Sequence, residues 1–161
     1  MMSSESIERV GVIGAGQMGG GIAEVCARAG VDVTVFETTE ALVTAGRNRI
    51  VKSLERGVSA GKITERERDG AVANLRFTTA MSDLADRQLV IEAVIEDERI
   101  KAGIFSQLDE IITDPDAVLA SNTSSIPVMK LGAATRNPGR VLGLHFFNTV
   151  PVLPLVELVT T

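Results

Sequence analysis

Apolar residues along this 161-residue chain fall into short continuous runs, separated by longer stretches with helical periodicity. The runs "RVGVIG" (9–14) and "VDVTVFE" (31–37) are too continuously apolar for strands with one face in water, so each predicts a buried strand. Later strands are predicted in "LRFTT" (75–79), "LVIEAV" (89–94), "AVLASN" (117–122) and "RVLGLHFF" (140–147).

Helices are predicted between the strands. Gly19 to Ala29 is typical of a short buried helix that ends near Gly30. Thr64 and Glu67 have capping-box spacing and open another helix in a highly charged segment. Between them, a long amphipathic helix is indicated by apolar residues at helical spacing: Leu42, Ile50, Leu54 and Val58.

One more helix is predicted from about Asp97 to Ile112, where "DPD" at 114–116 stops it. Its apolar face is indicated by Ile100, Ile104, Leu108 and Ile111. The alternation of strands and helices predicts an α/β fold with a mostly parallel sheet and helices on both faces. We expect one domain over residues 1–161, in which "TVPVLPLVELVTT" (149–161) begins a further apolar strand.

A glycine-rich turn lies between the first strand and the first helix. Gly14, Gly16 and Gly19 form the pattern G-x-G-x-x-G, with Gln17 and Met18 between the last two glycines. The first glycine permits the tight turn, the second lets a pyrophosphate approach the backbone, and the third lets helix and strand pack closely. This arrangement predicts a Rossmann-type, doubly wound domain in which these five residues contact a dinucleotide.

The turn has an acidic partner, Glu37, at the end of the second strand and about twenty residues further along. A carboxylate there accepts hydrogen bonds from ribose hydroxyls and repels a 2′-phosphate. The sequence therefore predicts NAD rather than NADP as the cofactor. The alternative interpretation is a tight turn and a surface glutamate.

The composition excludes several other functions. With 21 acidic against 16 basic side chains, the chain lacks the positive charge that would bind a nucleic acid. The first ten residues contain no basic region and no apolar core, so we expect no secretion signal, and the apolar region 141–159 is broken by polar residues and prolines, which argues against a membrane span. The single cysteine, Cys26, suggests a buried helical position in a reducing compartment. We expect a cytoplasmic protein.

Four motifs, in order, go beyond generic dinucleotide binding: "GAGQMGGGIA" (14–23), "IEAVIEDERIK" (91–101), "ASNTSSIPV" (120–128) and "GLHFFNTVPVLPLVE" (143–157). Together they resemble the L-3-hydroxyacyl-CoA dehydrogenase family, and most specifically its short-chain 3-hydroxybutyryl-CoA members. The resemblance implies oxidation of the 3-hydroxyl of an acyl-CoA with NAD as cofactor and no metal. It also implies a homodimer, formed through a second, helical domain.

The resemblance implies three catalytic residues, His145, Glu157 and Ser124. His145 is the only histidine of the chain, and Glu157 follows it by twelve residues. Oxidising an alcohol needs a base for the hydroxyl proton, and an imidazole near neutral pKa suits both directions. A carboxylate on its other nitrogen fixes the tautomer, and also accounts for a charge inside the apolar run "LPLVELV". Ser124 matches the serine that reaches the substrate oxygen and the nicotinamide end of the cofactor; the alternative is a turn or N-cap serine before Pro127.

The resemblance further implies contacts of Asn148, Glu96 and Lys101 with the nicotinamide half of the cofactor. Without it, Glu96 would pass for a helix-start acid and Lys101 for a solvated basic residue. For coenzyme A, Ser53 fits the family serine and Lys62 lies near the position of the family lysine.

Three departures from the family pattern stand close to these sites. Ala60 occupies the position where simple counting puts the coenzyme A lysine. Thr149 replaces a common proline, and "VLP" (152–154) replaces a common continuation with methionine and lysine. The last two changes lie next to the catalytic strand and predict an altered substrate preference.

The helical second domain of the family has no counterpart in this sequence. Residues 149–161 lead toward it, and in the family it supplies a catalytic-site asparagine, much of the acyl pocket and the dimer contact. We therefore expect this chain to bind NAD but to turn over poorly, because positioning of the substrate depends on that domain. Apolar surface that the domain would cover favours self-association.

Three other interpretations remain open at this point. The 3-hydroxyisobutyrate and 6-phosphogluconate dehydrogenases share a similar glycine turn but use a catalytic lysine and lack "HFFN". The L-gulonate dehydrogenase and lambda-crystallin branch shares the motifs but acts on a sugar acid or serves in the lens. A non-catalytic NAD-binding module would keep its function when His145 is replaced.

Overall fold

The computed structural model describes residues 6–160 and contains one seven-stranded sheet. Its strands are β1 (Arg9–Ile13), β2 (Asp32–Phe36), β3 (Leu75–Thr78), β4 (Leu89–Glu92), β5 (Val118–Ser121), β6 (Val141–Phe146) and β7 (Val156–Val159). They lie in the order β3-β2-β1-β4-β5-β6-β7. The first six are parallel, and β7 pairs antiparallel with β6 at the edge. All six strands predicted as separate segments are confirmed, and the apolar end of the chain supplies the seventh.

Five helices connect the strands: α1 (Gln17–Arg28), α2 (Glu40–Ser59), α3 (Glu65–Ala73), α4 (Glu98–Ile111) and α5 (Val128–Gly132). Short 3-10 turns occur at Met81–Leu84 and Pro138–Arg140. The predicted capping box is present, since Thr64 Oγ1 accepts a hydrogen bond from Glu67 N while Glu67 accepts one from Thr64 N.

Apolar side chains of the strands point alternately to the two faces of the sheet, and each face has its own core. On one face, Val12 and Ile91 pack with residues of α1, α2 and α3. On the other, Ile13 and Val90 pack with residues of α4 and α5, among them Phe105. Helices on both faces and the strand order 3-2-1-4-5-6 confirm the predicted Rossmann-type, doubly wound fold.

Two predicted apolar faces are partly wrong. Leu42 is 46% exposed, and Val43 beside it is buried instead. Ile100 is 44% exposed, whereas the neighbouring Lys101 is 1% exposed and lies on the inward face of α4 with Phe105. The reason is that the buried carboxylate of Glu92 pairs with the Lys101 ammonium. A charged residue therefore occupies the inward position that apolar periodicity assigns to Ile100.

Cys26 lies on α1 and is partly buried, and burial raises the pKa of its thiol to about 11. A thiol with so high a pKa is almost wholly protonated at neutral pH, which agrees with a packing role. Within residues 6–160, the helices are too short or too polar to cross a membrane.

Candidate active site

The glycine turn lies at the point where the strand order reverses, between β1 and its neighbours β2 and β4. Gly14 has a φ of 96°, and a Cβ there would lie 2.8 Å from the carbonyl oxygen of Ala93. A Cβ on Gly19 would lie 1.8 Å from the Gly14 carbonyl oxygen. These two positions therefore require glycine for the packing of the turn.

Gly16 differs from the other two glycines of the motif. It is the N-cap of α1, and a Cβ built on it meets no protein atom within 4 Å. The first turn of α1 has no acidic residue and no side-chain cap, so no side chain of the helix start competes for its amides. Free amides at the positive end of a helix fit a pyrophosphate group, and the residues present therefore fit a dinucleotide.

Glu37 follows β2 and contacts the glycine turn directly. Its Oε1 accepts a hydrogen bond of 2.7 Å from Ala15 N, and Oε2 accepts one of 3.3 Å from Thr38 N. Beside it lies a largely apolar cleft of about 670 Å³, lined by residues that include Phe36 and Ile95. An apolar cleft with one carboxylate at its rim fits an adenosine, whose base is apolar on its faces and whose ribose carries hydroxyls.

A second cleft, of about 290 Å³, lies on the other side of the turn at the carboxyl ends of β4, β5 and β6. Six of the predicted site residues line it: Met18, Glu96, Lys101, Ser124, His145 and Asn148. The sequence motifs that carry them are far apart in the chain, and the parallel sheet brings their ends together.

His145 and Glu157 are directly opposite each other in the antiparallel pair β6–β7. His145 Nδ1 lies 3.4 Å from Glu157 Oε2, and the imidazole also contacts the Phe147 ring at a centroid distance of 4.6 Å. The Glu157 carboxylate pairs with Nδ1 and not with the other ring nitrogen, Nε2. Although Glu157 lies inside an apolar run of the sequence, β7 is an edge strand and the Glu157 side chain is 60% exposed.

The loop after β5 holds Ser124 at the cleft through its neighbours. The Thr123 hydroxyl donates a hydrogen bond to Glu96, and it accepts one from Ile126 N at 2.9 Å. The Ser125 hydroxyl lies 3.4 Å from Glu96. The exposed Ser124 hydroxyl therefore stands on a loop whose shape is fixed by the hydrogen bonds of its neighbours.

A hydrogen bond connects the glycine turn with the cleft around His145. Gln17 Nε2 donates a hydrogen bond of 3.1 Å to Asn148 Oδ1, which links the start of α1 with the residue after Phe147. Gln17 and Met18 thus lie between the predicted pyrophosphate and nicotinamide positions.

The two predicted coenzyme A residues lie apart from these clefts. Ser53 is on α2, where its hydroxyl acts on Glu24 of α1 by opposing the rise that burial causes in the pKa of that carboxyl. Lys62 is exposed in the turn after α2. Neither side chain is among those that line the cleft around His145.

Sequence reasoning missed three residues that shape the site. Glu92, at the end of β4, is fully buried and pairs with Lys101. Asn122 Oδ1 accepts a hydrogen bond of 2.8 Å from Phe146 N, and Arg49 Nη1 donates one of 2.6 Å to Ala15 O. Of these three residues, only Glu92 could have been found from the sequence, because it is a charged residue inside the apolar run "LVIEAV".

Fold and site together define the dinucleotide-binding domain of a dehydrogenase. The family model described as 3-hydroxyacyl-CoA dehydrogenase, NAD binding domain, matches residues 9–161. This chain therefore belongs to the NAD-binding domain family of the 3-hydroxyacyl-CoA dehydrogenases.

Relatives with established names agree with this assignment. The chain is 75% identical over 158 residues to a 3-hydroxybutyryl-CoA dehydrogenase of Mycobacterium tuberculosis, covering 98% of this chain and 55% of the relative. The crystal structure of M. tuberculosis FadB2 superposes with a TM-score of 0.94 at 75% identity, covering 96% of this chain and 54% of that one.

A more distant solved structure has the same fold. The (S)-3-hydroxybutyryl-CoA dehydrogenase PaaH1 from Ralstonia eutropha superposes with a TM-score of 0.91 at 42% identity, covering 95% of this chain and 54% of that one. The chain thus spans about half the length of the curated relatives that it matches.

Proposed function

We propose that this chain is the cofactor-binding part of an NAD-dependent dehydrogenase that interconverts (S)-3-hydroxyacyl-CoA and 3-ketoacyl-CoA. The proposed substrate pair is 3-hydroxybutyryl-CoA and acetoacetyl-CoA, and it rests on the names of the relatives. The observation that carries the proposal is the contact between His145 and Glu157 at the rim of a cleft that also contains Ser124.

In this proposal the dinucleotide lies across the two clefts. Gly14, Gly16 and Gly19 shape the turn so that the amides at the start of α1 hold the pyrophosphate, and Glu37 binds the adenosine ribose. The nicotinamide half lies against Glu96, Lys101 and Asn148, with Gln17 and Met18 beside it. Bound there, NAD supplies the acceptor for the hydride that leaves the substrate carbon.

His145 moves the proton of the reaction. Its Nε2 takes the proton of the substrate 3-hydroxyl as the carbonyl forms, and returns it in the reverse direction. Glu157, on Nδ1, orients the ring and stabilises the imidazolium. Glu157 is exposed on the edge strand β7. Substrate or a further part of the protein can cover it there, and this suits its role.

Ser124 assists at the same oxygen. Its hydroxyl donates a hydrogen bond to the oxygen that carries developing negative charge, which lowers the barrier for the hydride step.

In coenzyme A recognition we assign Ser53 and Lys62 to the distal part of the substrate, away from the reacting carbon. We also propose that the complete enzyme is a cytoplasmic homodimer, with no nucleic acid or membrane as partner.

The first experiment measures acetoacetyl-CoA-dependent oxidation of NADH by the chain, beside His145→Ala and Glu157→Gln. Loss of the acid/base is expected to lower turnover by about a hundredfold or more in His145→Ala. NADH affinity should change less than about twofold in both variants, since neither residue belongs to the glycine turn.

The same assay separates the alternatives. Oxidation of L-gulonate without activity on the CoA ester would identify a sugar-acid dehydrogenase instead. Turnover that is unchanged in His145→Ala would contradict the proposed mechanism, and a chain that binds no NADH would contradict the cofactor assignment.

A further inference from the structure

A buried carboxylate lies beneath the cleft around His145 and takes no part in the proposed chemistry. Glu92 is 0% exposed, and its Oε1 accepts hydrogen bonds from Lys101 Nζ at 2.6 Å and from Val94 N at 2.9 Å. Its Oε2 accepts one of 2.6 Å from Ser121 Oγ. Glu92 therefore ties the loops after β4 and β5 to the ammonium of Lys101.

Lys101 connects this buried carboxylate with the cleft. Its side chain is 1% exposed, yet it contributes to the cleft lining. Besides Glu92, its Nζ lies 3.4 Å from Val94 O and 3.8 Å from Glu96 Oε2. Burying an ammonium is unfavourable unless it is paired, and Glu92 is the buried counter-ion of Lys101 at 2.6 Å.

The three charged groups set the electrostatic potential at the proposed nicotinamide position. One cation, Lys101, faces two carboxylates, Glu92 and Glu96, so the cluster carries an excess of negative charge. Solvent and salt screen the buried pair only weakly. Among the described residues, the cleft lining includes one further ionisable side chain, His145 on β6, which contacts Glu157 on β7.

The two redox states of the cofactor differ in charge at this position. The nicotinamide ring is a cation in NAD⁺ and neutral in NADH. We infer that Glu92 balances the charge of Lys101 so that the cleft accepts the cationic ring, and that Glu92 thereby sets the relative affinity for NAD⁺ and NADH. Glu92 is a positioning and charge-balancing residue, and the inference rests on the proposed function.

The test compares dissociation constants for NAD⁺ and NADH in four forms of the chain: wild type, Glu92→Gln, Lys101→Met and the double variant. Glutamine can still accept from Lys101 or Val94 and bond to Ser121, but it carries no charge. Glu92→Gln is expected to weaken NAD⁺ relative to NADH by roughly fivefold to tenfold, because it removes one negative charge near the proposed position of the cationic ring.

Lys101→Met removes the opposite charge, so the affinity ratio should move in favour of NAD⁺. The double variant should return the ratio close to that of the wild type. Glu98→Gln is the matched control, because Glu98 is an exposed carboxylate at the start of α4 that pairs with Lys130 at 2.9 Å. Its ratio should be unchanged. Titration of NADH fluorescence, and displacement of NADH by NAD⁺, give both constants.

A purely structural role predicts a different result. Affinities for NAD⁺ and NADH would then fall together in Glu92→Gln, and an unchanged ratio overturns the inference. If Glu92→Gln does not fold, as judged by circular dichroism, the test uses Glu96→Gln and Lys101→Met instead. These two variants should shift the ratio of the NAD⁺ and NADH affinities in opposite directions. A wild-type chain that binds neither nucleotide would instead refute the proposed function.

Discussion

At the residue scale, burial of charge governs stability as well as chemistry. Glu24 on α1 faces α2 and is 3% exposed. Burial raises the pKa of its carboxyl, against the opposing effects of the Ser53 hydroxyl and of Arg28 and Arg56. An acid with a raised pKa in the folded state favours folding when protonated. Its contribution is therefore present at pH below the unfolded pKa and is lost as pH rises through the folded pKa.

We predict that Glu24→Gln is more stable relative to the wild type at pH 7 than at pH 4. Glutamine has no charge to desolvate, so it avoids the loss of stability that Glu24 undergoes as pH rises above its ordinary pKa. Urea unfolding at both pH values measures the difference. Glu55→Gln, at an exposed position of α2, is the control and should show no such change. A Glu24→Gln difference that is independent of pH would contradict the prediction.

The sequence signal for the site also belongs to this scale. His145 and Glu157 could be singled out because each is a polar residue in an apolar run that matches a family motif. Glu92 has the same signal, but its partner Lys101 comes from a different element. One-dimensional spacing does not reveal which charges meet across the sheet, and so the buried ion pair was missed.

At the element scale, the glycines of the turn have two different roles, one in packing and one in cofactor binding. Gly14 and Gly19 have no room for a Cβ, whereas Gly16 has open space around it. We predict that Gly16→Ala folds normally but binds NADH at least about tenfold more weakly, because the methyl group occupies the approach of the pyrophosphate. Its φ of −68° is accessible to alanine.

Thermal unfolding and NADH titration together check this prediction. Gly70→Ala in α3 is the matched control, since a Cβ there also meets no atom within 4 Å. It should keep its NADH affinity and gain roughly 0.5–1 kcal/mol from helix propensity. Tight NADH binding by Gly16→Ala would show that the cofactor does not approach this amide.

Strands and helices were the most predictable elements of the fold. The buried strands are recognisable because both of their faces are apolar, and the capping box marks the start of α3. The inward face of α4 was not predictable in the same way, because Lys101 replaces an apolar residue there. Its burial follows from the tertiary contact with Glu92, which local periodicity does not contain.

At the scale of the whole molecule, the chain covers about half the length of its relatives, and its last strand is its most exposed. In the segment after Phe147, large apolar side chains face solvent: Val152, Leu153, Leu155, Val156 and Leu158. Contiguous apolar surface of this kind marks an interaction site. An edge strand adds unpaired backbone groups that can join a second strand.

We therefore predict that the chain self-associates through β7, and that Leu158→Lys weakens this association by at least about tenfold. Leu158 is 62% exposed and lies on the face of β7 opposite to Glu157, so the contact with His145 should remain. Sedimentation velocity over a range of concentrations gives the association constant. Val72→Lys is the control, since Val72 is 42% exposed on α3, away from this segment. Equal association constants for the wild type, Leu158→Lys and Val72→Lys would exclude β7 as the interface. Loss of NADH binding in Leu158→Lys would indicate damage beyond the edge strand.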